Sequence, residues 1–380
     1  MKSKRWLDGG LLVLCSVFLL AFGIALILLP KMSFSEEENR ALSVWRTPTV
    51  EEMLDGSLGT RLSTFCADQF PLRTKWIALK ARGEKLLLRG ENRGILFGKD
   101  GYLVDRDSYE SLEVAEKNLQ AIGRVCEESS TPVTVAFVPR AVDVMKNKLP
   151  DGYDASYAEE LWDLIQVSGV SSADLRAPLR EAADKGREVF YRTDHHWTGE
   201  GAYLGYWKIC SMLGVDSFAQ SDFSVEEVSA SFRGSSDSAS GGMGSRSDRI
   251  RLYRYEEDGD FWIEAEMGTL PFEGFYDHSA LKKKNQYEVF LGGNHGYLTV
   301  SSKAQSARER LLLVKDSFSN ALIPLLARHY DLVVIDPRYY EGSFEDVLRT
   351  ANCDRVLILW GADTLATDPS LERFLNYGAS

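Results

Sequence analysis

The feature that most constrains this chain is the run from Leu11 to Leu29, nineteen residues with no charge and no strongly polar side chain. At about 1.5 Å per residue, a helix of that length reaches roughly the thickness of a bilayer's hydrocarbon layer, whereas a signal-peptide core holds about 7–15 residues. Leu28, Leu29, Pro30, Lys31 and Met32 lack the small-x-small pattern of a cleavage site, so the run reads as a retained anchor rather than a removed leader. Lys2, Lys4 and Arg5 precede it, Glu36, Glu37 and Glu38 follow it, and basic flanks stay cytoplasmic. The expectation is a single-pass protein of the cell membrane with an extracytoplasmic C-terminal body.

That body needs a core of its own. The 380 residues are 44% hydrophobic and 26% charged, a globular composition long enough to bury one. A net charge of −12 supplies no field that attracts phosphate backbones, so nucleic acid is not an expected partner. Cys15, Cys66, Cys126, Cys210 and Cys353 stand far apart with no CxxC pair, which supports neither a disulfide scaffold nor a structural zinc.

Along the chain, residues 1–32 read as anchor or signal, 33–110 as a membrane-proximal segment, and 111–380 as an α/β domain. Trp76 to Leu88 has helical spacing, and Lys99, Asp100 and Gly101 sit between apolar runs as a hairpin turn would. Leu112–Glu128 reads as a helix before a buried strand at Val133–Val138; Tyr157–Val167 and Gly201–Leu213 read as helices, and Val189–Arg192 as a short strand. The Ser- and Gly-rich stretch from Ser229 to Ser247 reads as a mobile loop over a site. Leu311–Val314, Asp331–Ile335 and Arg355–Leu359 are short apolar runs separated by helical segments, the pattern of parallel strands.

Two constellations carry chemistry. In Asp194, His195, His196, Trp197, Thr198, Gly199, Glu200, two of the five histidines stand beside a carboxylate, with Thr198 suited to cap a helix. An Asp two residues before a His can fix its tautomer and leave the other ring nitrogen as a base; the plainer reading is a histidine pair capping a helix. A metal reading would use Asp194, His195, His196 and Glu200, but adjacent histidines diverge, and His278 or His295 would have to arrive from afar; no metal or other cofactor is expected. In Leu313, Val314, Lys315, Asp316, Ser317 an apolar strand runs into a serine, which suits a nucleophile turn or an ordinary N-cap. A serine hydroxyl needs a positioned base, and the first constellation offers one. Gly293 and Asn294 suit either a second oxyanion donor or a tight turn; Arg338, with Tyr339 and Tyr340, could orient a sugar, the plainer reading of the two tyrosines being structural burial.

Asp194, His195, His196, Trp197, together with Lys315, Asp316, Ser317, Phe318, Ser319 after a strand, resembles the bacterial DHHW protein family, itself similar to the SGNH-like O-acetyltransferase domains of alginate acetylation. Glu38, Asn39, Arg40; Asp68 to Arg73; Gly98 to Leu103; and Gly292 to His295 extend the resemblance over about residues 35–375. It implies an SGNH-hydrolase-like parallel sheet flanked by helices, with Asp194 orienting, His196 as base and Ser317 as nucleophile. His195 is a second candidate base or a substrate contact, and Lys315 stands where ordinary SGNH enzymes have a glycine. The implied activity is transfer of acetyl through a serine ester to an exported or cell-surface polysaccharide, supplied by a multi-pass membrane O-acyltransferase. A carbohydrate acetylesterase and a non-catalytic polysaccharide-binding or assembly factor are the alternatives.

Overall fold

The computed structural model describes residues 2–35, 40–86, 90–106, 111–256, 258–265, 268–304 and 307–376. Glu36, Glu37, Glu38 and Asn39, used above for orientation and resemblance, lie outside the described residues. The chain divides into two compact units, residues 1–89 with 241–243, and residues 90–240 with 244–380.

In the first unit a helix runs from Lys2 to Leu28, and its Gly9–Leu28 part is long and apolar enough to cross a membrane. Three shorter helices follow, Val50–Leu54, Ser57–Asp68 and Arg73–Leu86. The first is fixed by a capping box in which Thr49 and Glu52 satisfy each other's backbone N–H. Phe70 stacks on Phe22 of the long helix at 5.2 Å.

The second unit is built on an eight-stranded sheet. Its order in space is 268–269, 261–265, 297–302, 331–335, 310–315, 355–361, 133–138, 172–174. The five strands from 331–335 to 172–174 are parallel, and the remaining three extend the sheet antiparallel beyond 331–335. The parallel strands are apolar at nearly every position because both faces are covered. Leu311, Leu313, Leu332, Val334, Leu357 and Leu359 enter one core, while Leu312, Val314, Val333, Ile335, Val356 and Ile358 enter the other. This is the period-2 alternation of a strand buried on both faces. Ala202, Tyr206 and Ile209 of the Gly199–Leu213 helix pack into the first core; Leu119 and Ile122 of Glu113–Glu128 and Phe374 of Ser370–Asn376 pack into the second.

Two expectations need correction. Val189–Arg192 is not a strand: Phe190 makes an isolated bridge to Trp197, closed by Tyr191 N–H on the His196 carbonyl at 3.2 Å, and residues 192–196 loop out between them. Ser229–Ser247 holds regular structure, with the end of a strand Ser224–Phe232 followed by a helix Ser235–Ala239. Polar contacts order it where apolar burial is lacking. Asp237 Oδ1 accepts from Gly244 N–H at 2.6 Å, and Ser240 Oγ donates to the Asp237 carbonyl at 2.8 Å. The hairpin around Lys99–Gly101 forms between Ile95–Phe97 and Leu103–Asp105, with Asp100 and Gly101 at φ 56° and 84°.

Candidate active site

Ser317 stands at the carboxyl end of the Arg310–Lys315 strand, the edge of a parallel sheet where ligands ordinarily bind. It opens a 3₁₀ helix, Ser317–Ala321, because the fully buried Asp316 caps that turn. Asp316 accepts from Phe318 N–H at 3.1 Å and from Gly361 N–H at 2.7 Å, which ties the turn to the end of the neighbouring strand. Gly361 allows that approach, since a Cβ there would lie 2.7 Å from Asp316 Oδ2. Pro324 delays the α-helix, which begins at Ile323.

The loop between Phe190 and Trp197 delivers the histidines. Buried Asp248 holds its base, accepting from Arg192 N–H at 2.9 Å, Thr193 N–H at 2.8 Å and Thr193 Oγ1 at 2.6 Å. Asp194 Oδ1 accepts from His196 Nδ1 at 2.6 Å and Oδ2 from Ser235 N–H at 2.8 Å. Gly234 makes room for the carboxylate, because a Cβ at that position would lie 2.1 Å from Oδ2. With Nδ1–H turned to Asp194, His196 Nε2 is left as the acceptor facing Ser317 Oγ, at 2.8 Å. Asp194 and His196 are buried, while Ser317 is half-buried.

Aromatic rings clamp this chain of bonds. Tyr287 stacks on His196 at 3.8 Å and 9°, and its hydroxyl donates to the Ser317 carbonyl at 3.4 Å. Trp197 Nε1–H donates to the Phe318 carbonyl at 2.9 Å. Tyr287 and Asp248 were not among the residues singled out from the sequence, since neither stacking nor a backbone clamp leaves a periodic signal.

The two histidines sit in opposite fields. Burial and the neighbouring His195 push His196 down to about 4, against the pull of Asp194. Burial also works against a charge on His195, but Asp194, Asp105, Asp363 and Asp316 outweigh it and raise that group above its ordinary value. Burial disfavours the Asp194 charge, yet His196, His195 and the Ser235 N–H hold its carboxyl well below the usual range. His196 therefore stays neutral near pH 7 while His195 holds its proton longer.

The remaining candidates lie elsewhere. Asn294 is exposed, and its Oδ1 accepts from Asn320 Nδ2 at 3.0 Å and Lys315 Nζ at 3.4 Å. Gly293, at φ 112°, offers its carbonyl to Asn320 at 3.4 Å. Arg338 grips Asp336 through Nε at 2.9 Å and a terminal nitrogen at 2.7 Å. None of the three is hydrogen-bonded to Asp194, His196 or Ser317 among the described residues. His195 lies beside the site, ring to ring with His196 at 3.8 Å, its Nδ1 2.6 Å from Ser235 Oγ. Asp194, His195 and His196 bring ligand-type atoms within 4.8 Å of one another, but both ring nitrogens of His196 are engaged in the bonds above. Glu200 is bound to Arg187, Gln220 and Tyr253, and His295 Nε2 to the Leu291 carbonyl, so neither supplies a further ligand.

Comparison with known proteins gives two family matches, the SGNH hydrolase-like domain of the acetyltransferase AlgX over residues 88–241 and the DHHW protein family over residues 179–335. The probable alginate O-acetylase AlgJ of Pseudomonas syringae pv. tomato is 26% identical over 174 residues, covering 43% of this chain and 44% of that protein. Its counterpart in Azotobacter vinelandii is 25% identical over 184 residues, covering 43% and 47%. The matched region thus spans less than half the length of these relatives. Among solved structures, a DHHW family protein from Eubacterium siraeum DSM 15702 has a TM-score of 0.62 at 21% identity, covering 74% of this chain and 95% of its own. Bacillus cereus PatB1 with a sulfonyl adduct has a TM-score of 0.60 at 19% identity, covering 74% and 97%. These two structures share the fold. The larger unit of this chain thus has the α/β fold of these structures and is similar over parts of its length to the SGNH hydrolase-like and DHHW families, in agreement with the resemblance drawn from the residues.

Proposed function

We propose that this chain is an extracytoplasmic O-acetyltransferase, held at the membrane by its N-terminal helix, in which Ser317 carries acetyl as an ester and passes it to a polysaccharide hydroxyl. The observation that carries this reading is the 2.8 Å approach of Ser317 Oγ to His196 Nε2, with Asp194 on the far nitrogen. The match to relatives named as alginate O-acetylases supports the reaction class.

In the first half-reaction Ser317 Oγ bonds to the acetyl carbonyl carbon as its proton moves to His196 Nε2. The imidazolium is stabilised by Asp194 and gives that proton to the leaving oxygen when the tetrahedral species collapses. In the second half a sugar hydroxyl loses its proton to Nε2 and attacks the acetyl-serine, and Ser317 recovers the proton as it leaves. Of the first N–H groups in the turn, Phe318 and Ser319 already donate to Asp316, so the Ser317 N–H is the donor that this turn can aim at the oxyanion. Acetyl-CoA is cytoplasmic, so the acetyl group has to be carried across the membrane, and the family resemblance implies a multi-pass membrane O-acyltransferase as its donor.

The full chain in detergent, treated with a sulfonyl fluoride and digested, should show the adduct on the Ser317 peptide by mass spectrometry, with none in Ser317→Ala. With a chromogenic acetyl ester it should release product and, when an oligosaccharide is added, acetylate it. An unlabelled Ser317 together with an inert ester would overturn the mechanism. Release unaffected by sugar, with no acetylated oligosaccharide, would make the protein an acetylesterase instead.

A further inference from the structure

We propose that the cavity beside Ser317 is the acceptor subsite and that its wall selects an uncharged sugar over a uronate polymer. This rests on the acyl-transfer reading above and adds the chemical class of the acceptor.

The cavity measures about 470 Å³ and is lined in part by Asp194, His195 and Phe318, the last two directly next to His196 and Ser317 in the chain. Its volume falls in the ~300–1,000 Å³ range of small-molecule sites. The Ile95–Phe97 and Leu103–Asp105 hairpin contributes Ile95, Leu103, Val104 and Asp105 to its lining, to which the buried Phe318 also belongs. Its charged groups that are not exposed are four carboxylates, one imidazole and one guanidinium: Asp194 and Arg140 are buried, and Glu91, Asp105, Asp363 and His195 are half-buried. Ser235 takes His195 Nδ1, which leaves Nε2 as the donor for a bound oxygen. Asp105 accepts from Ser236 Oγ at 2.8 Å and keeps a further oxygen for a ligand hydroxyl.

Two of the three arginines in the lining are already paired with carboxylates. Buried Arg140 is held by Asp143 at 2.9 and 3.1 Å, and exposed Arg106 is bidentate to Glu91 at 3.1 Å. Arg93 is exposed. Hydroxyls entering this wall find acceptors, whereas a uronate carboxylate would be stripped of water beside Asp105 and Asp363. The chain's excess of acidic residues, 56 against 44 basic, repels a polyanion at longer range as well.

The test gives the full chain in detergent a chromogenic acetyl ester with either cellohexaose or hexamannuronate, at low and high salt. Acetylation of the neutral hexamer should exceed that of the charged one at least tenfold at low salt, and the gap should narrow as salt screens the wall. Asp105→Asn with Asp363→Asn should raise kcat/KM for hexamannuronate about tenfold, with the single Asp105→Asn change giving a smaller rise if the pair compromises folding. Equal or preferred transfer to hexamannuronate by the unmodified chain overturns the inference while leaving the acetyl-serine mechanism standing. Absence of both ester turnover and Ser317 labelling removes the mechanism, and the inference with it.

Discussion

Buried charge lies on both sides of Ser317, but the two sides are arranged differently. Before it, Lys315 sits almost fully buried with Nζ 2.9 Å from Asn320 Oδ1 and 3.2 Å from Asp336 Oδ2, and Arg338 closes Asp336 from the outside. Lys315, Asp336 and Arg338 each face an opposite charge there, and the network holds the strand end in place. Across from it, the equally buried Asp194 and His196 lead to a third group, the half-buried Ser317 hydroxyl. A closed network fixes geometry; an open-ended one can move a proton. This contrast accounts for the lysine at a position where ordinary SGNH enzymes have a glycine: Lys315 Nζ is bound on the closed side, to Asn320 and Asp336.

The contrast can be broken experimentally. Ser317→Ala or His196→Ala should lower acetyl transfer by at least ~10³-fold, read as kcat/KM with the chromogenic ester, with little change in Tm. Retention of a tenth of the activity by either would place the chemistry elsewhere. Gly234→Ala, whose Cβ would meet Asp194 Oδ2, should cut kcat by about a hundredfold by displacing that carboxylate. An unchanged kcat would show that Asp194 is not needed in this position. Lys315→Met should act on stability, at about 2 kcal/mol by urea unfolding. That is below the ~3–5 kcal/mol of a lone broken pair because Arg338 still faces Asp336. If the folded variant loses Ser317 labelling altogether, the closed side has a chemical role too.

The smallest effect expected is on pH. His196 is pushed down to about 4 by burial and then by the charge of His195, so the acid limb of kcat/KM should have its midpoint near there. Removing that positive neighbour in His195→Gln raises the His196 pKa, and the midpoint should move up by about one pH unit. A shift to lower pH, or none, would mean that His195 does not act on His196 through its charge.

Much of this was legible in the residues for one reason. Strands 310–315, 331–335 and 355–361 are covered on both faces, so they read as unbroken apolar runs, and their carboxyl ends locate a sheet edge. The bend that carries Asp194 and His196 was not legible as such. Val189 to Arg192 has the composition of a strand, but the clamp by Asp248, more than fifty residues away, takes the backbone N–H groups of Arg192 and Thr193. Ser235–Ala239 was hidden for the opposite reason: its order comes from side-chain oxygens and from covering a carboxylate, which leave no apolar period. Tyr287 was equally invisible, since a ring laid flat on His196 depends on three-dimensional register alone.

The bond from the Trp197 indole to the Phe318 carbonyl, one residue past Ser317, has a practical consequence. Any group esterified to that serine alters the electric field at the indole, so the emission of Trp197 should report acyl loading directly. Subtracting the spectrum of a Trp197→Phe chain would isolate that signal from the other seven tryptophans and make each half-reaction visible in stopped flow without a coloured ester.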